Sequence, residues 1–184
     1  MEGKRVPDHR RLLRIALTAL PVLLIVLYWF ICWTSPTTVL LVRHADREGS
    51  ADDLSEAGDN RALELVHVME KAGLRAIYHT EARRTQQTAG PIASALGITP
   101  TVISASDTAA LVDDIRTHHT GHTVLVVGHS SVPRIIAALG GPSLPDIDDS
   151  EYDNLFILTR CRCDWPTTKL VGLQYGALSP SPAP

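Results

Sequence analysis

Apolar, β-branched runs and stretches of helical periodicity take turns along the chain from residue 38 onward. The five residues from Thr38 to Val42 read as a strand, and "RAIYHT" (75–80), "TPTVIS" (99–104) and "TVLVVGH" (123–129) read as three more. Between them lie helical segments. In 52–73, apolar positions 62, 65, 66 and 69 form one stripe, with Ser55 as N-cap and Gly73 as terminator. A second helix starts at about Arg83, bends near Gly90-Pro91 and closes at Gly97. A third follows a cap at Ser106 or Asp107, and a fourth carries Pro133 in its first turn. Strand and helix alternate four times, which is the signature of a parallel sheet covered on both faces.

Beyond residue 141 the pattern changes. A polar loop, "LPDIDDSEYDN" (144–154), leads into "LFILTRCRC" and "TKLVGLQYG", two strands joined through "DWPT" as a hairpin at the sheet edge. Residues 177–184, "ALSPSPAP", read as a disordered tail. The expectation is a three-layer α/β/α domain over 35–176 with a mainly parallel sheet.

The first 34 residues differ in character. Residues 1–14 carry five basic side chains, and Ile15 to Thr34 is a 20-residue run without charge. That length suits a helix crossing a ~30 Å hydrocarbon core. Tyr28, Trp29 and Trp33 stand near its far end, where interfacial aromatics are expected. The pattern predicts a single-pass transmembrane signal anchor over 15–34. The basic flank stays in the cytoplasm and the carboxyl-terminal domain lies outside it, at the periplasmic face in a Gram-negative bacterium. A cleaved signal peptide is the alternative, although "YWFICWTS" lacks small residues at a cleavage position.

Charge narrows the ligand class. The first 34 residues hold 5 of the 17 basic and 2 of the 20 acidic residues, which leaves 12 against 18, a net charge of −6. An acidic domain is a poor nucleic-acid binder, so an anionic ligand needs locally clustered arginines. Of the three cysteines, Cys32 lies in the apolar run, and Cys161 and Cys163 read as a structural or surface pair. His118, His119 and His122 read as a solvated loop at the far edge of the sheet.

Ligands of open α/β sheets sit at the carboxyl ends of the strands. There the first strand delivers Arg43 and His44, and the second delivers His79, Thr80 and Glu81, with Arg83 and Arg84 a turn later. The strand at 123–127 delivers Gly128, His129 and Ser130. Arginine forks match phosphate oxygens. A neutral imidazole can attack phosphorus and hold the group covalently, and a second imidazole can stabilise the transferring charge. No P-loop is present.

These residues resemble the histidine phosphatase superfamily, the phosphoglycerate mutase-like proteins, in its compact bacterial branch. Its Arg-His-Gly motif stands as Arg43-His44-Ala45, its Leu-Thr-x-x-Gly as "LSEAG" (54–58), its Arg-Ala-x-Gln-Thr-Ala as "RTQQTA" (84–89) and its Gly-His-Ser within "VVGHS" (126–130). The resemblance implies a phosphatase acting through a phosphohistidine on His44. Arg43, Arg84 and His129 would form the phosphate pocket, and Arg47 would add a contact. No cofactor or metal is implied, and the partner is a small phosphorylated substrate. Ala45 replaces the usual glycine, and "HTEARR" replaces the usual Ser-Ser-Pro run. No motif fixes the general acid. Asp107 is the first candidate and Glu81 the second, and Asp107 also suits a helix cap.

Other readings compete. "GHSSV" lacks the second glycine of a nucleophile elbow, and no histidine follows His129. A catalytically weak or inactive phosphate-binding member, and a phosphatase of phosphohistidine proteins, stay open. The 33 residues at 90–122 are used up by helix, strand and helix, which leaves little for a lid and favours hydrolysis over a mutase reaction.

Overall fold

The computed structural model describes residues 9–34, 36–161 and 168–179. After the amino-terminal helix α1 (His9–Thr34), the order is β1 (Thr37–Arg43), α2 (Glu56–Met69), β2 (Leu74–His79), α3 (Arg83–Leu96), β3 (Thr101–Val102), α4 (Thr108–His118), β4 (Thr123–Gly128), α5 (Val132–Ala138), β5 (Asn154–Arg160) and β6 (Thr168–Gln174). The six strands form one sheet in the order β3-β2-β4-β1-β5-β6. β1, β4, β2 and β3 run parallel, whereas β5 pairs antiparallel with both β1 and β6. The sheet is therefore mixed, with the hairpin at the β1 side.

Period-two alternation sorts the strand side chains between two cores. Val39, Leu41, Tyr78, Val124 and Val126 meet α4 and α5 through Leu111, Val112, Ile115, Val132 and Ile136. Leu40, Val42, Ile77, Leu125 and Val127 meet α2 and α3 through Leu65, Met69, Ala89 and Ile92. Burial on both faces explains why β1 and β4 read as unbroken apolar runs. The caps behave as their residue types dictate. Ser55 Oγ accepts from the Gly58 amide at 3.2 Å, Asp107 Oδ1 accepts from the Ala110 amide at 2.9 Å, and Gly97 ends α3 at φ +64°. Pro91 lies inside α3, which continues through it.

One expectation needs correction. Among the described residues no helix is long and apolar enough to cross a membrane. The transmembrane anchor over 15–34, the membrane as a partner and the extracytoplasmic placement of the domain all fall with that finding. Residues 177–179, read from the sequence as part of the tail, make contacts with the domain. The Ala177 carbonyl accepts from Arg61 Nη1 at 2.8 Å, and Ser179 Oγ accepts from the Tyr152 amide at 2.8 Å. Cys161 follows β5 and is unbridged among the described residues; Cys163, its expected companion, lies outside them, as do the "DWPT" turn and residues 180–184.

Candidate active site

Sheet order assembles the site. β4 lies beside β1 in a register that pairs Arg43 with Gly128, and the His44 amide extends the ladder to the Gly128 carbonyl at 2.9 Å. The next residue on each strand is a histidine. The rings of His44 and His129 sit 5.6 Å apart, edge to face at 66°.

His44 is 2% exposed. Its Nδ1 lies 2.8 Å from the Ala45 carbonyl. A carbonyl only accepts, so Nδ1 carries the proton and Nε2 keeps its lone pair. Burial pushes the ring's pKa down to about 3, and Arg43, Arg84 and His129 push the same way against the Ala45 hydrogen bond. His44 is therefore neutral at physiological pH, as a nitrogen nucleophile must be.

The tautomer of His129 is also set by its partners. Arg84 Nη2 donates to Nδ1 at 3.3 Å, so Nε2 carries the proton and donates to Thr80 Oγ1 at 3.0 Å. Thr80 Oγ1 bonds Thr85 Oγ1 at 2.9 Å, and Thr85 donates to the Ala82 carbonyl at 2.7 Å. Burial first, then the Arg84 charge, lowers the pKa of His129.

Three arginines surround this pair. Arg43 is buried, and the 148–152 loop holds its guanidinium. Nη1 donates to the carbonyls of Asp148 (2.6 Å) and Glu151 (3.0 Å), Nη2 reaches Asp149 at 3.3 Å, and Tyr152 stacks 4.4 Å from its Cζ. The Tyr152 ring also lies 5.8 Å from the His44 ring. Arg84 Nη1 donates to Asp52 at 2.5 Å. Arg47 donates to the Ala51 carbonyl at 3.4 Å. The Nε atoms of Arg43, Arg47 and Arg84 are buried and have no hydrogen-bond partner among the described residues. Buried donors without partners are costly, and an oxyanion is the ligand that satisfies guanidinium N–H groups best.

A second tier fixes the loop after His44. A Cβ on Gly58 would meet the Asp46 carbonyl oxygen at 2.1 Å, so only glycine lets α2 approach that backbone. Asp46 is gripped by Arg61, whose Nε donates to Oδ2 at 2.6 Å. The Ala45 amide donates to Thr88 Oγ1 at 3.0 Å, which ties the loop to α3.

The two acid candidates are both engaged. Asp107 caps α4 and lines a small crevice with His79, Thr80, Ala105 and His129. Glu81 accepts from the Ala105 amide at 3.0 Å. Backbone N–H bonds, its own first and then that of Ala105, hold its carboxyl below the usual range, so it is ionised. Asp52 and Tyr152 escaped the sequence reading. An Asp pair ahead of a helix cap reads as an approach to the helix, and nothing marks Tyr152 within its polar loop. A cavity of about 290 Å³ opens elsewhere, at the amino-terminal end of β1 beside Thr37, Arg116, Leu158 and Cys161, and holds none of these groups.

The strand ends of this α/β domain thus bring together two neighbouring histidines and an arginine lining. Residues 39–107, which carry three of the four motifs, match the family model of the histidine phosphatase superfamily, branch 1, as the resemblance implied. The fold is phosphoglycerate mutase-like. A mycobacterial glucosyl-3-phosphoglycerate phosphatase shares it at TM-score 0.58 and 13% identity, covering 77% of this chain and 99% of that one. The protein histidine phosphatase SixA, complexed with tungstate, does so at TM-score 0.58 and 14% identity, over 74% and 96%. A phosphoglycerate mutase from Plasmodium falciparum aligns at TM-score 0.50 and 18% identity, over 81% and 96%. No curated protein matches the sequence.

Proposed function

We propose that the protein is a phosphatase that transfers a phosphoryl group to His44 and then to water. The observation that carries this reading is the neutral, buried His44, its Nε2 free of the Ala45 bond, beside His129 and three guanidinium Nε atoms without a partner among the described residues. The Nε2 lone pair attacks phosphorus, a P–N bond forms and the P–O bond to the leaving group breaks. Water then attacks phosphorus, the P–N bond breaks, and inorganic phosphate leaves with His44 restored. Arg43, Arg47 and Arg84 hold the phosphate oxygens. His129 carries a depressed pKa beside Arg84, and an arriving phosphate dianion opposes that shift by opposite charge. Asp107 remains the first candidate for the acid, because Glu81 is held ionised.

A second reading has one observation in its favour. Both acid candidates are committed to backbone amides, which suits leaving groups that need little protonation, as in phosphoramidates. Incubation with 4-nitrophenyl phosphate followed by alkaline quench should trap an acid-labile phosphoryl adduct, and His44→Ala should abolish both adduct and turnover. Turnover retained in His44→Ala would sink the proposal.

A further inference from the structure

Asp52 has an unusual position for a carboxylate in a site that handles anions. Its Oδ1 bonds Arg84 Nη1 at 2.5 Å, and its Oδ2 accepts from the Arg83 amide at 3.2 Å at the start of α3. Neighbouring Asp53 bonds Arg83 Nε at 2.8 Å and Gln87 Nε2 at 3.0 Å, and Gln87 Oε1 accepts from the Leu54 amide at 2.9 Å. Together these contacts clasp the 52–54 strap to the first turns of α3. The hydrogen bond from the Arg83 amide, ahead of the Arg84 pairing, keeps the Asp52 carboxyl below its usual range. The carboxylate is half exposed, whereas Arg84 is largely covered.

The same arginine that binds Asp52 holds His129 Nδ1. On the other flank of His129 stands Glu81, also ionised and exposed, fixed by the Ala105 amide. Two ionised carboxylates therefore flank His129 and Arg84, beside the pocket assigned to the phosphoryl group. The phosphoryl group is provided for by Nε donors that Asp52 leaves untouched. The carrier meets the two carboxylates there, of which Asp52 is paired with Arg84.

We infer that Asp52 is a specificity-determining residue, supported by Glu81, and that the site takes phosphoryl compounds with a cationic carrier group. This rests on the phosphatase reading above. A carrier ammonium or guanidinium pairs with Asp52 and Glu81, a neutral carrier is indifferent to them, and a carrier carboxylate or second phosphate is repelled.

The test compares kcat/KM for phosphoethanolamine, glycerol phosphate and 3-phosphoglycerate at low ionic strength, with 4-nitrophenyl phosphate as reference. Phosphoethanolamine should exceed 3-phosphoglycerate by about tenfold, since an exposed charge pair is worth up to roughly fivefold and two carboxylates act. The ratio should shrink in salt. Asp52→Asn keeps an acceptor for the Arg83 amide and should compress the ratio by about threefold to fivefold, and Glu81→Gln should compress it as well. Asp113→Asn, an equal charge change on the exposed side of α4, should leave the ratio alone. A wild-type ratio of one or below, or an Asp52→Asn ratio equal to wild type, overturns the inference while turnover of 4-nitrophenyl phosphate keeps the phosphatase reading intact. No turnover of any of the four compounds overturns both.

Discussion

Neutrality of His44 should make the fold sensitive to acid in a way that one substitution removes. In the unfolded chain this ring titrates near 6.5, and in the folded protein burial holds it at about 3. Between those values the unfolded state binds a proton that the folded state refuses. The depressed pKa thus gives stability that is present above about pH 6.5 and is lost progressively as the pH falls toward 3. At pH 5 the unfolded chain gains about 2 kcal/mol from protonating this one ring, and any folded value below about 4 gives the same figure. Urea unfolding of wild type and His44→Asn at pH 7 and pH 5 measures it. Wild type should lose about 2 kcal/mol more than the variant across that interval. His129, shifted in the same direction, is present in both proteins and cancels in the difference. Equal acid sensitivity of the two would refute a His44 held neutral by burial, and with it the argument for its readiness as a nucleophile.

Gly58→Ala should cost about 1–3 kcal/mol by overpacking and should also depress turnover, because the added Cβ displaces the Asp46 backbone that supports the loop after His44; thermal denaturation and kcat together check this, and an unchanged melting temperature would contradict the contact. Asp107→Asn should slow hydrolysis of alkyl phosphates by roughly 10²–10⁴ and leave aryl phosphates nearly untouched if Asp107 is the acid. Equal effects on both substrate types, with a loss of about 1 kcal/mol in stability, would reduce it to the cap of α4.

Local chemistry made much of this domain readable. Ser55, Asp107 and Pro133 sit at helix starts because their side chains suit those positions. The apolar run at 123–127 becomes a central strand because nothing polar interrupts it. The paired histidines were visible because ligands of such sheets collect at strand ends. What the chain did not disclose depends on distant partners. Arg43 reads as a phosphate ligand from its motif, yet its Nη1 is held by carbonyls 105 and 108 residues away and its Nη2 by the Asp149 carboxylate. Asp52 meets Arg84 across 32 residues, and no periodicity records such a contact. Insertion of β4 between β1 and β2, and of β5 beside β1, is a choice among sheet orders that alternation alone leaves equal. The amino-terminal segment shows the opposite failure: a strong compositional pattern predicted a span that the described helix does not supply.

The pairing of Arg43 with Gly128 has a kinetic consequence. The two histidines are 85 positions apart and become neighbours only when β1 and β4 zip together in parallel, a step that needs loop closure across most of the domain. Such non-local closure is slow compared with helix formation. Helical signal should therefore recover early in refolding, while catalytic competence waits for the central strand pair, which makes the appearance of activity a clock for completion of the sheet.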